Sequence, residues 1–229
     1  MRQPTTEELK NLNFFQGLPE ALLQELLLLG KEVCLPLRTA VFSAGPSLNQ
    51  VYVLLEGQVM IYNLTKHGHR KILFLLGRGQ LLNHSLLDES KSSVFCESMT
   101  AVRLLAFPRL PFLELMEGRP ALSRAVLRSY ERFLWRLCHQ LKNTTGRMQV
   151  ERKVAAKLWK LARDFGVPCP QGIRIEAGLS VTLLADLVGA PRETISRACR
   201  SLSQRGLLLI QGRRFILPDP EGLSQFYRM

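Results

Sequence analysis

Residues 180–212 read SVTLLADLVGAPRETISRACRSLSQRGLLLIQG. Leu183, Leu184, Leu187 and Val188 recur at helical spacing until Gly189-Ala190-Pro191 breaks the pattern. A second helix opens at Arg192-Glu193-Thr194, with its apolar face carried by Ile195, Ala198, Cys199 and Leu202. Gly189 suits the positive-φ position of a tight inter-helix turn, and Pro191 suits the first turn of the next helix. Residues 207–210 and 214–217 form a hairpin turning at Gln211-Gly212-Arg213. The window therefore predicts a helix-turn-helix with a wing behind it. The polar face of the second helix shows Arg192, Glu193, Ser196, Arg197 and Arg200, the side-chain types that read guanine and cytosine edges and clamp phosphates. Such a face implies binding of duplex DNA.

The bulk properties agree. With 229 residues, 46% of them hydrophobic, the chain is long enough for two domains with real cores. A net charge of +12 calls for a polyanionic partner. Residues 148–229 hold 13 Lys and Arg against seven Asp and Glu, the same excess of six that residues 1–147 spread over nearly twice the length. Cys34, Cys96, Cys138, Cys169 and Cys199 are scattered, with no CxxC pair and no metal spacing, so buried thiols in a reducing cytoplasm are expected and an iron–sulfur cluster is not. No signal peptide opens the chain, and the apolar run 21–29 is too short for a bilayer and contains Gln24 and Glu25. A soluble cytoplasmic protein without membrane contact is expected. No carboxylate pair, nucleophile–base arrangement or phosphate-cradling Gly loop is present, which argues against an enzyme.

Ahead of the DNA-binding window the periodicity changes. Leu12, Phe14, Phe15 and Leu18 lead into Pro19, then Leu22, Leu23, Leu26 and Leu27 give an amphipathic stripe, so residues 5–30 hold one or two short helices. From about Val33 to Phe107, short apolar runs at 51–55, 59–62, 72–76 and 102–107 alternate with turns marked by Gly, Pro, Asn and Ser. That spacing predicts an all-β barrel or roll. A helix then runs from Pro120 to about Gly146, roughly 40 Å at 1.5 Å per residue. Val126, Tyr130, Phe133, Leu137 and Leu141 lie on one stripe of it. The helix can pack on its own domain, but two-fold DNA sites call for a dimer, and the stripe is read as a coiled-coil homodimer seam. A further helix covers 149–165, ended by the Gly- and Pro-rich stretch 166–172, and residues 173–176 form a short strand. The expected fold is α+β: a β-roll sensor domain over 1–118, a dimerisation helix over 119–147 and a winged helix-turn-helix over 148–229.

In this order of parts the chain resembles the bacterial cyclic-AMP-receptor/fumarate-nitrate-regulator (CRP/FNR) superfamily over nearly its whole length. The resemblance rests on residues 51–62 (VYVLLEGQVMIY), 187–197 (LVGAPRETISR) and 149–156 (QVERKVAA). It implies a roll of the cyclic-nucleotide-binding jelly-roll type and a homodimeric transcription regulator, activators among them. Such proteins bind palindromic sites, contact RNA polymerase and are switched by a small-molecule effector in the roll. By the matching motif, Arg192, Glu193 and Arg197 fall at the base-contacting positions of the cyclic-AMP receptors, and Ser196 at the serine of the fumarate-nitrate branch. A half-site such as TGTGA or TTGAT is implied. Ser180, Thr182, Arg200, Arg213 and Arg214 fit phosphate contacts or seating of the wing. A hinge is expected near residues 143–149, where Asn143-Thr-Thr-Gly146 weakens the helix.

The family's phosphate site uses a Gly-Glu pair and an Arg-Ser or Arg-Thr pair. Here the Glu position becomes His84 and the Arg-Ser pair becomes Ser92-Ser93, so no guanidinium fork is available, and Lys91 nearby is only a point charge. Leu137 and Cys138 occupy the position facing the purine. Cyclic AMP is therefore not the expected effector, and Leu82, His84, Ser92, Ser93, Leu137 and Cys138 are the candidate pocket residues. In Gly79-Gln-Leu-Leu-Asn-His-Ser85, His84 also sits where the family's haem-containing carbon-monoxide sensors carry an axial histidine. Pro4 is not the first residue, and Leu82 replaces those sensors' cysteine. Against a haem-based gas or redox sensor stand a hydrogen-bonded structural histidine and a constitutive DNA-binding protein with an empty roll. His67 and His69 sit in a basic hairpin with Lys66, Arg70 and Lys71 and read as a solvated turn; Cys96 and Cys138 would form a redox switch only if adjacent.

Overall fold

In the structure, a computed structural model, residues 4–87, 91–144 and 148–228 are described, with backbone alone for 141–144. Two short helices come first, α1 (Thr6–Lys10) and α2 (Glu20–Leu29). Seven strands follow: β1 (Lys31–Leu35), β2 (Ala40–Phe42), β3 (Gln50–Glu56), β4 (Val59–Leu64), β5 (Arg70–Leu76), β6 (Phe95–Ser98) and β7 (Val102–Pro108). They form two sheets, β1-β7-β3 and β2-β6-β4-β5. Gly57, at φ +87°, makes the sharp turn between β3 and β4; a Cβ there would come within 2.4 Å of the Ala101 carbonyl.

Strand alternation divides the apolar residues between two cores. Leu54, Val59, Ile61, Phe74, Leu76, Cys96 and Leu104 turn inward between the sheets. Val51, Val53, Leu55, Leu105 and Phe107 turn outward from the β1-β7-β3 sheet, where helices cover them. The cover is α1, α2, α3 (Arg109–Gly118) and the start of α4 (Pro120–Thr144). Phe14 and Phe15, edge to face at 4.9 Å, pack in the same cluster.

Beyond α4 come α5 (Val150–Phe165), β8 (Gly166–Cys169), β9 (Gly172–Ile175), α6 (Val181–Val188), α7 (Arg192–Gln204), β10 (Leu209–Gln211), β11 (Arg214–Leu217) and α8 (Pro220–Arg228). The four strands form an antiparallel sheet in the order β10-β11-β9-β8. Val154, Ala155, Leu158, Leu161 and Ala162 give α5 its buried side, and α6, α7 and α8 pack on it. The described residues fall into two compact units, one within Met1–Asn63 and Leu73–Cys138, the other within Leu64–Ile72 and His139–Met229. Among them no helix is long and apolar enough to cross a membrane.

The β-rich half, long helix and helix-turn-helix stand in the expected order, while α3, β8 and α8, like the roll strands β1, β2 and β6, are not individually expected from the sequence. Pro111 at the start of α3 and Pro220 at the start of α8 look like breakers, yet both sit in first turns, where a missing N–H has no intrahelical partner to lose. The stretch that ends α5 becomes β8, an edge strand, so Pro168 opposite Ile173 leaves one side of the ladder intact. The hinge expected over 143–149 falls partly on residues 145–147, outside the described residues.

Candidate nucleic-acid interface and effector site

Ser180 starts α6, its Oγ accepting a hydrogen bond from the Leu183 N–H at 3.0 Å. Gly189 ends it in the left-handed region, φ +78° and ψ 45°, with its N–H donating to the Ala185 carbonyl. Pro191 is extended and precedes α7 as its cap residue instead of lying in the first turn; its carbonyl accepts from the Thr194 and Ile195 N–H groups. Ile195, Ala198, Cys199 and Leu202 fix the inner face of α7, and burial raises the Cys199 thiol to about 11. Glu151 of α5 tethers the far end: it accepts from Ser201 Oγ at 2.6 Å and pairs with Arg205 at 3.5 Å.

The side left to solvent carries Arg192, Glu193, Ser196, Arg197 and Arg200, all exposed. Their spacing of i, i+1, i+4, i+5 and i+8 places them on one face. Arg197 Nη2 lies 3.5 Å from Thr194 Oγ1, and among the described residues no carboxylate pairs with Arg192, Arg197, Arg200, Arg213 or Arg214. The wing is tighter than the sequence suggests. Gln211 pairs with Arg214, so Gly212 (φ +61°) and Arg213 alone make the turn, with both arginines exposed. Thr182 is also exposed, while the Ser180 hydroxyl serves as the helix cap.

Inside the roll, His84 lies between aromatic rings. Phe74 of β5 stacks on it at 5.9 Å and 14°, and Phe133 of α4 touches it at 4.5 Å and 40°. Both ring nitrogens are buried without a hydrogen-bond partner among the described residues, as are Tyr130 Oη and Gln80 Oε1. Burial pushes His84 down to about 4, only partly offset by the Leu82 backbone, and pushes Tyr130 up to about 12. Leu82 is fully buried in the same cluster. Ser92 is buried but turned to its own backbone, its Oγ donating to the Val94 carbonyl at 2.8 Å, and Ser93 is exposed. Leu137 and Cys138, the last of the six candidate pocket residues, are exposed as well, in contrast to the buried Leu82 and Ser92. Phe74, absent from that set, and Phe133, assigned to the seam, are the rings that meet His84; an aromatic residue on a strand gives no signal of which face it takes.

The stripe expected to join two copies is largely used within the chain. Val126 is 2% exposed in the helix-covered core and Phe133 8% in the roll core, with Tyr130 packed against both. Leu127 and Leu134, one helical face away, are 60% and 63% exposed, and Leu137 is 37% exposed. Leu127, Tyr130, Leu134 and Leu137 step by three and four, a heptad spacing that continues in sequence to Leu141, whose side chain lies outside the described residues.

The haem reading can be tested on this geometry. An axial ligand must present a nitrogen to open space, whereas both His84 nitrogens are buried, with Phe74 and Phe133 packed against the ring. Pro4 carries its nitrogen in the peptide bond from Gln3, which cannot ligate iron. The residues as arranged do not fit haem. Among the described residues no group of three or more His, Cys, Asp or Glu is placed to hold a metal ion.

Comparison with known proteins gives two family matches: a cyclic nucleotide-binding domain over residues 32–119 and a Crp-like helix-turn-helix domain over 152–226. The chain is 26% identical to a CRP-like cAMP-activated global transcriptional regulator of Mycobacterium tuberculosis, over 96% of this chain and 98% of that one. It is 30% identical to the transcriptional activatory protein AadR of Rhodopseudomonas palustris, over 80% and 76% of the two chains. Among solved structures, a CooA mutant from Carboxydothermus hydrogenoformans superposes with a TM-score of 0.75 at 21% identity, covering 99% of this chain and 97% of that one.

Proposed function

The chain belongs to the CRP/FNR family of transcription regulators, and from that premise we propose that it acts as a homodimer on palindromic promoter DNA under the control of an effector in the roll. The observation that carries the reading is the exposed face of α7. Three arginines free of carboxylate partners flank Glu193 and Ser196 there. Arg192 and Arg197 suit the O6 and N7 edge of guanine, and Glu193 suits the amine of cytosine. Arg200, Arg213, Arg214, Thr182 and Ser180 hold the backbone and set the register. Residues 1–118 serve as sensor, 119–147 as dimerisation helix and 148–229 as reader. RNA polymerase is the partner that turns binding into regulation, and the cytoplasm is the place of action.

The dimer seam runs along Leu127, Tyr130, Leu134 and Leu137. On this reading the sensor contact and the seam occupy adjacent faces of one helix: Phe133 touches His84 while Leu134 faces outward. An effector that displaces Phe133 would shift α4 and change how two copies meet. The unpartnered polar atoms of His84, Tyr130 and Gln80 support an effector with hydrogen-bonding groups, and the Ser92-Ser93 pair argues against cyclic AMP. The burial of both His84 nitrogens favours a second reading, a regulator that binds DNA constitutively.

Selection from random duplexes tests the DNA assignment. A two-fold consensus with G·C pairs is expected, and Arg197→Ala should relax one of them at a cost of about 1–3 kcal/mol. A purely A·T consensus would overturn it. Tight binding by the effector-free protein, unchanged by metabolite extract, would favour the constitutive reading.

A further inference from the structure

A second concavity shares no lining residue with the His84 cluster or with the exposed face of α7. Lys153, Lys157 and Lys160 follow one another on α5 at i, i+4 and i+7, so three ammonium groups share one side of that helix. With Lys71 of β5 they line a cavity of about 110 Å³, to which His139 and Gln140 add polar side chains. All four lysines are half-buried, and no carboxylate is among the cavity's lining residues. Lys71 Nζ is anchored by donating to the Val188 carbonyl at 3.4 Å. Like charges one turn apart destabilise a helix, and burial makes the arrangement costlier. Burial first, then Lys160 and Lys71, push Lys157 down to about 8, with Asp164 offsetting part of the effect. Burial and Lys153 lower Lys71 as well.

Lysine ammoniums are point charges that bind phosphate without the forked geometry an arginine would impose. The cavity has room for several waters, and so for one or two phosphate groups but not for a whole nucleoside. Its concave walls set it apart from a surface that tracks a duplex backbone, a role open to the exposed arginines of α7 and the wing. We propose that this cavity binds a small phosphate-bearing anion, either inorganic diphosphate or the phosphate tail of a nucleotide, as a ligand site separate from the roll.

Titration calorimetry of the full chain with pyrophosphate, at pH 7 and constant ionic strength, tests the proposal. Saturable binding with one site per chain is expected, with a melting temperature of the second unit about 10 °C higher at a hundredfold excess over Kd. Affinity should fall at least tenfold in Lys153→Gln/Lys157→Gln, fall at pH 9.5, and stay unchanged in Arg197→Ala. Lys153→Gln alone serves where the double variant does not fold. A parallel titration with ATP separates the sources: equal affinity assigns the site to phosphate alone, and affinity tenfold higher assigns it to a nucleotide tail. The proposal is overturned if pyrophosphate does no more than potassium chloride. It is equally overturned if binding survives the lysine substitutions and disappears in Arg197→Ala, because the DNA-reading face would then be the binder.

Discussion

Acid should loosen the first unit through a single side chain, His84. Its imidazole is held neutral at about 4 by burial between Phe74 and Phe133, against about 6.5 in an unfolded chain. A group depressed on folding stabilises the native state above its unfolded pKa, and that stability is lost as pH falls through the folded pKa. The window therefore runs from about pH 6.5 down to about 4, and the whole contribution is roughly 3 kcal/mol. Between pH 7.5 and 5.0 the loss works out at roughly 2 kcal/mol. His84→Phe keeps the aromatic stack and removes the titration, so the pH-dependent part of this loss should vanish in it. In a Trp159→Phe background, Trp135 is the one remaining tryptophan and reports urea unfolding of the first unit. Carboxylates that titrate in the same range affect both proteins alike and cancel in the difference. If wild type and His84→Phe lose the same stability over this interval, or if the His84 ring titrates near 6.5 in an NMR series, the buried neutral imidazole is refuted.

Other consequences are direct. Leu127→Glu/Leu134→Glu places charge on the exposed heptad face of α4 and should give a folded monomer by light scattering, with loss of binding to two-fold DNA. A variant that remains dimeric removes that seam. Gly189→Ala forces a side chain into the left-handed region at φ +78° and should cost about 1 kcal/mol, read as a melting temperature about 5 °C lower for the second unit. Ser180→Ala removes the α6 cap and should cost about 1 kcal/mol, while Ser180→Gly should cost only about a few tenths; equal losses by urea titration would show that the hydroxyl does not cap.

The reading face was legible because every signal it needs is local. Helical period, a breaking Gly189 and a following Pro191 delimit α7, and the inward positions Ile195, Ala198, Cys199 and Leu202 fix which side is left over. The roll interior was not legible in the same way. That His84 meets Phe74 from β5 and Phe133 from α4 depends on contacts across 10 and 49 positions of chain, which no spacing rule encodes. The Ser92 hydroxyl shows the same limit on a smaller scale. Its residue type marks a polar site, but its hydroxyl proton is given to the Val94 carbonyl.

The long helix shows why a correct pattern can carry the wrong partner. A stripe at three- and four-residue steps states only that a face must be covered. In α4 two such faces lie side by side. Leu122, Ala125, Val126 and Phe133 turn to the chain's own cores, while Leu127, Leu134 and Leu137 remain exposed. Covering the first face within the chain leaves the second exposed, and Tyr130 packs against both internal cores. In the proposed dimer, a helix that touched only its twin would not sense the roll, and one buried only on the roll would not bring two readers together. The neighbouring residues Phe133 and Leu134, one against His84 and the next turned outward, place both contacts on one rigid element. In the proposed switch, a shift on one side of that helix is carried to the other.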